Sequence, residues 1–199
     1  NGAMDYLANE GLELPNLFRA VASPKATQEL MIAIRERGEE IDFIELGDAP
    51  LCISVLKECV SGQSKEVFPI KLLEPLGDIL REERHSSEKR ISRMQSILVT
   101  NVKQGNVSPT FLNLLGLLNL VSQHSAKNGT QISHLGATFA EEFIGRDTQI
   151  KKNTAEWRQM KQSATNVMME LITNIYKMFP LQDKDDDKKK KEGEGAKIK

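Results

Sequence analysis

Arg19 is the residue whose type and setting are best suited to chemistry, in the stretch Leu14-Pro15-Asn16-Leu17-Phe18-Arg19-Ala20-Val21-Ala22-Ser23-Pro24. A guanidinium is a planar cation that stays charged and offers a rigid fork of donors, which suits it to phosphate or carboxylate oxygens. The stretch is built to hold it. The Pro15 ring fixes one backbone angle, Leu17 and Phe18 can dock into a core, and Ser23-Pro24 reads as an N-cap followed by proline at the first helical position. Arg19 is therefore expected between two anchored elements, well placed to point at another molecule. On spacing alone, a solvated arginine or a surface ion pair is the commoner state of such a residue.

Other chemistries have less support. Cys52 and Cys59 lie in one expected helix, on the same face and about 10 Å apart, too far to pair with each other. Two buried thiols acting as small core hydrophobes fit a reducing compartment. His85, His124 and His134 are dispersed, without the Cys-x-x-Cys or His-Glu-x-x-His spacing that gathers ligands, and no metal site is expected.

The elements that must position Arg19 read as helices throughout. The chain has 199 residues, 39% hydrophobic and 28% charged, enough for one domain with a real core. Its net charge of -1 supplies no global field toward nucleic acid or an anionic membrane. The longest apolar run, 111–121, is broken by Asn113 and Asn119 and is too short to span a bilayer. Strand signals are nearly absent, so the expected class is all-α. Asn1-Gly2-Ala3-Met4 reads as a tag-cleavage remnant without signal-peptide features and is set aside from the fold.

The apolar period predicts a helix from Pro24 to Arg37 stopped by Gly38, a loop over 39–48, and a helix opened by Ala49-Pro50. A loop at Ser61-Gly62-Gln63-Ser64 precedes Pro69 and a short helix ending near Glu83. A polar-capped helix follows from Ser86 or Ser87 to Val102, then the most apolar one, 110–124, which is expected to be central. A turn at Lys127-Asn128-Gly129, a short helix over 133–143 and a long one over about 153–179 complete the set. The domain is expected over 5–182. Residues 183–199 carry an acidic cluster and four consecutive lysines, Lys188 to Lys191, and read as a solvated, disordered tail.

Leu17-Phe18-Arg19, then Val55-Leu56-Lys57, then His124-Ser125-Ala126-Lys127-Asn128, resemble the Rho GTPase-activating (RhoGAP, BCR-homology) domain in order and spacing. The segment His134-Leu135-Gly136-Ala137-Thr138-Phe139-Ala140-Glu141 stands where that family has Asn-Leu-Ala-x-x-Phe-Gly-Pro, and residues 171–179 are similar to its final helix. The resemblance covers most of the chain and implies a single multi-helix bundle. It also implies an activator of a Rho- or Rac-type small GTPase that supplies Arg19 in trans as an arginine finger, with Lys57 supporting the finger loop and the GTPase switch surface. Such an activator has no catalytic centre or cofactor of its own, because GTP and Mg²⁺ belong to the partner. A cytoplasmic setting follows, with recruitment to membranes or cytoskeleton through flanking regions.

The departures mark a divergent member. Asn16 replaces the glycine before Leu-Phe-Arg, a mild change. Ser61 stands where the family has an arginine, so a supporting cation is lost. His134 replaces an interface asparagine, and either supplies a donor in its place or weakens binding. His124 and Asn128 read as structural, a helix-end histidine and a turn asparagine. Ser61 and His134 support an alternative function, a pseudo-GAP that binds small GTPases or other proteins without accelerating hydrolysis.

Overall fold

Short polar side chains open most of the helices, each accepting a hydrogen bond from an amide that the helix itself leaves unpaired. Ser23 accepts from Ala26 at 3.1 Å, Asp48 from Leu51 at 2.9 Å, Ser86 from Lys89 at 3.4 Å, Ser108 from Thr110 at 3.1 Å and Thr154 from Trp157 at 3.2 Å. The computed structural model of the chain describes residues 2–37, 41–62, 67–144 and 152–180. Its helices are α1 (Gly2–Tyr6), which continues as a π turn over Leu7–Gly11, α2 (Pro24–Arg37), α3 (Phe43–Leu46), α4 (Ala49–Gly62), a 3-10 turn (Ile70–Leu72), α5 (Leu73–Glu82), α6 (Ser87–Lys103), α7 (Pro109–Gln123), α8 (Ser125–Asn128), α9 (Ile132–Ile144) and α10 (Ala155–Met178). No strand occurs among the described residues. The protein is an all-α bundle.

The hub is α10. It packs against α5, α6, α7 and α9, burying Trp157, Ala164, Val167, Met168, Leu171, Ile172, Ile175 and Met178. The apolar α7, expected at the centre, is largely buried but forms one wall around that hub. Composition reports how much of a helix is covered; it does not report how many neighbours cover it. Helix α9 comes close to α10 at Gly136, where a Cβ would lie 2.7 Å from Met169 Cγ and 3.1 Å from the Thr165 carbonyl oxygen. A side chain there would require Met169 to move and the two backbones to part slightly.

Three expectations shift in detail. The segment set aside at the start contributes to the core, because Gly2–Tyr6 is helical and Met4 is buried. The loop expected over 39–48 contains α3, one turn held by Asp42, which accepts from the amides of Ile44 and Glu45, and closed by left-handed Gly47. Helix α4 extends through Gly62, so Ser61 lies in its last turn and not in a loop. The expected stop at Gly38, the Gln63-Ser64 part of the second loop and the charged tail over 183–199 lie outside the described residues. Cys52 is buried and Cys59 half-buried, both as free thiols; burial pushes the Cys52 thiol up to about 11, which makes it inert.

Candidate functional site

Arg19 lies on an irregular segment between the π turn and α2. Leu17 and Phe18 are 3% and 2% exposed while Arg19 itself is exposed. The segment is tied down residue by residue. The Leu14 amide donates to the Gly11 carbonyl at 3.1 Å, Asn16 to Asn128 at 2.9 Å, and Arg19 and Ala20 both to the Asn16 carbonyl at 2.8 and 3.2 Å. Asn16 and Phe18 adopt φ of 59° and 69°. The first explains why an asparagine can stand in the glycine position, since its short polar side chain tolerates the left-handed region.

Beneath the loop lies Asn128. Its side chain is fully buried, donates to the Leu12 and Val121 carbonyls at 2.9 Å each, and accepts from the Thr130 amide at 2.7 Å. The short helix α8 delivers it and left-handed Gly129 turns the chain away. His124 caps the end of α7, with Nδ1 donating to the Leu120 carbonyl at 3.0 Å. Both residues are structural. At the surface Lys127 pairs with Glu13, an exposed contact of small weight.

On its far side the loop meets α4. The Ala22 amide donates to the Ser54 hydroxyl at 3.3 Å, and Lys57 follows Ser54 by three residues, on the same helical face. Val21, Ala22, Ile32, Arg35, Lys57 and Glu142 are among the residues lining a groove of about 540 Å³ there. Val21 and Ile32 leave 79% and 45% of their surface in solvent. Exposed apolar side chains beside charged ones, in a concave surface, are suited to contact with another protein.

Lys57 is half-buried on that groove, and desolvation lowers its pKa against an opposing pull from Glu142. Glu142 is raised by desolvation, countered by the Lys57 charge and the Ser61 hydroxyl. Ser61 is only 6% exposed. At the position of an expected supporting residue it therefore faces Glu142 across the α4–α9 contact and is covered from solvent. Glu142 is the member of this cluster that sequence reading missed; its signal was an acid among the apolar residues of α9.

His134, on the first turn of α9, is half-buried and turned to the loop, with Nε2 3.3 Å from the Phe18 carbonyl oxygen. The fold thus brings Arg19, His134 and the Lys57 groove around one loop and holds Ser61 behind the groove wall. The Arg19 guanidinium has no hydrogen-bond or ion-pair partner among the described residues. A cation so held is available to anionic oxygens on another molecule. Among the described residues no cluster of His, Cys, Asp and Glu could hold a metal ion, and no helix is long and apolar enough to cross a membrane.

The RhoGAP domain family model matches residues 1–148. Among solved structures, human Rho GTPase activating protein 15 is 17% identical, with a TM-score of 0.73 over 89% of this chain and 81% of that chain. The BH domain from GRAF, the GTPase regulator associated with focal adhesion kinase, is 16% identical, with a TM-score of 0.69 over 90% of this chain and 92% of that chain. At these identities the likeness is one of fold. No curated protein matches the chain in sequence.

Proposed function

Because the chain belongs to the RhoGAP domain family, whose function is activation of Rho-family GTPases, we propose that it stimulates GTP hydrolysis by a Rho- or Rac-type GTPase through Arg19 acting as an arginine finger. The supporting observation is an exposed guanidinium without a hydrogen-bond or ion-pair partner among the described residues, on a loop where Leu17 and Phe18 are buried and the backbone is hydrogen-bonded. Hydrolysis builds negative charge over the β-γ bridge and γ-phosphate oxygens, and a forked cation delivered in trans neutralises it. Such fingers raise the rate by about 10³ to 10⁵. GTP and Mg²⁺ are carried by the partner.

In this reading the groove beside the loop takes the partner's switch surface, with Val21 and Ile32 supplying apolar contact and Lys57 a cation at its floor. Lys57 donates from a half-buried position, where a charge-assisted hydrogen bond is worth more than at the rim. The alternative of binding without acceleration draws on the loss of a cation at Ser61. Single-turnover hydrolysis with a panel of Rho-family GTPases, comparing the parent with Arg19→Ala, separates the two. Loss of acceleration with retained binding in the variant supports the finger; equal acceleration by both refutes it; and binding without acceleration by the parent selects the alternative.

A further inference from the structure

The backbone that carries Arg19 is unusual at the residue before it. Phe18 sits at φ 69°, a left-handed conformation disfavoured for a bulky side chain because its Cβ crowds the following carbonyl. It persists because its surroundings over-determine it. The ring is 2% exposed and stands edge-on to Phe139 of α9, with centroids 5.9 Å apart and planes at 67°.

The two peptide groups leading to Arg19 are held as well. The Leu17 carbonyl accepts from the Thr130 hydroxyl at 2.5 Å, and the Phe18 carbonyl accepts from His134 Nε2 at 3.3 Å. The second of these belongs to the peptide that joins Phe18 to Arg19. A carbonyl can only accept, so in this hydrogen bond Nε2 of His134 is the donor. Rotation of that peptide would swing the guanidinium, and the imidazole opposes the rotation. Thr130 is in turn fixed by its amide, which donates to the Asn128 side chain at 2.7 Å.

We propose that His134 and Thr130 are positioning residues that aim Arg19 by gripping consecutive carbonyls of its loop, and that His134 works inward on the loop in place of outward on the partner. The proposal rests on the reading of Arg19 as the finger. It makes a geometric claim that separates it from a partner contact at the same position. Nε2 is the far nitrogen of the ring, and a glutamine amide reaches it, whereas an asparagine amide lies nearer the backbone, where Nδ1 does. A strut is therefore rescued by glutamine; a partner contact of the kind the family's asparagine makes is rescued by asparagine.

The test is single-turnover GTP hydrolysis titrated with the activator, which yields a maximal acceleration and a half-saturating concentration for His134→Ala, His134→Gln, His134→Asn and Thr130→Val. His134→Ala is expected to lower the maximum about tenfold with half-saturation unchanged within about twofold, the pattern of an interaction expressed only in the transition state. Glutamine restores most of the loss and asparagine does not. In an Arg19→Ala background His134→Ala causes no further loss, because it acts through Arg19. Better rescue by asparagine, a shift in half-saturation alone, or the same loss without Arg19 would overturn the proposal.

Amide exchange gives a readout independent of catalysis. The Arg19 and Ala20 amides, bonded to the Asn16 carbonyl, are expected to exchange at least about tenfold faster in His134→Ala and Thr130→Val, while α6 amides are unchanged. If the parent accelerates no GTPase that it binds, the finger reading fails by itself, and exchange alone decides whether the strut exists; unchanged exchange refutes it.

Discussion

The Asn16 amide donates to the Asn128 carbonyl at 2.9 Å, which fastens the exposed Arg19 loop to a turn whose own side chain is fully buried. Through this bond the loop inherits the rigidity of the core. Asn128→Ala removes the side chain that serves the Leu12 and Val121 carbonyls and the Thr130 amide. With buried groups left unpaired, the expected loss is about 2–4 kcal/mol. Denaturant unfolding measures it, and a loss below about 0.5 kcal/mol, the size of an ordinary surface change, would remove Asn128 from this role.

Asn16 tests the backbone of the same loop. At φ 59° glycine should be tolerated with stability unchanged within about 0.5 kcal/mol, whereas Asn16→Val should cost about 1–2 kcal/mol through the left-handed penalty. Thermal unfolding of the two variants checks the order. Equal stability would mean that the loop relaxes freely.

Gly136→Ala probes the contact between α9 and the hub helix. The added methyl meets Met169, which can move, and the Thr165 carbonyl, which is backbone. The expected cost is about 1–3 kcal/mol, the range for overpacking. An unchanged midpoint of unfolding would show that the two helices can part without cost.

These sites differ in how readable they were from sequence. The caps Ser23, Ser86 and Ser108 were legible because a cap is a local bond between residues two or three apart, and α2 begins where its pattern predicts. Helix α3 was not, since four residues hold no period and the turn depends on the Asp42 side chain. The Arg19 loop was legible as a loop. Its supports at Thr130 and His134 were not read as such, because they act across 113 and 116 residues of sequence, and nothing local marks which carbonyl a distant side chain meets. Ser61 opens a loop in the sequence pattern because helical period does not reveal that α4 runs on to Gly62 and buries that residue against α9.

Glu142 gives the pH prediction. Burial raises its pKa despite Lys57 and Ser61, so the folded state holds a proton more tightly than the unfolded chain. As pH rises from the ordinary glutamate range toward the folded value, the unfolded chain releases its proton first, and stability falls. Glu142→Gln removes that slope. Unfolding free energies measured from pH 4 to 8 should therefore show the variant gaining on the parent as pH increases, and a difference that is flat or runs the other way would contradict the burial of this carboxyl.

The central claim concerns Arg19, and the most direct measurement compares the parent, Arg19→Ala and Arg19→Lys in single-turnover GTP hydrolysis by a Rho-family GTPase, with binding measured in parallel. Arg19 is exposed and unpaired among the described residues, so stability should change by less than about 0.5 kcal/mol in either variant. Acceleration should fall by about 10³ or more in Arg19→Ala. Arg19→Lys should recover little of it, because an ammonium lacks the fork of donors, and both variants should still bind. Acceleration by Arg19→Ala equal to that of the parent would contradict the account.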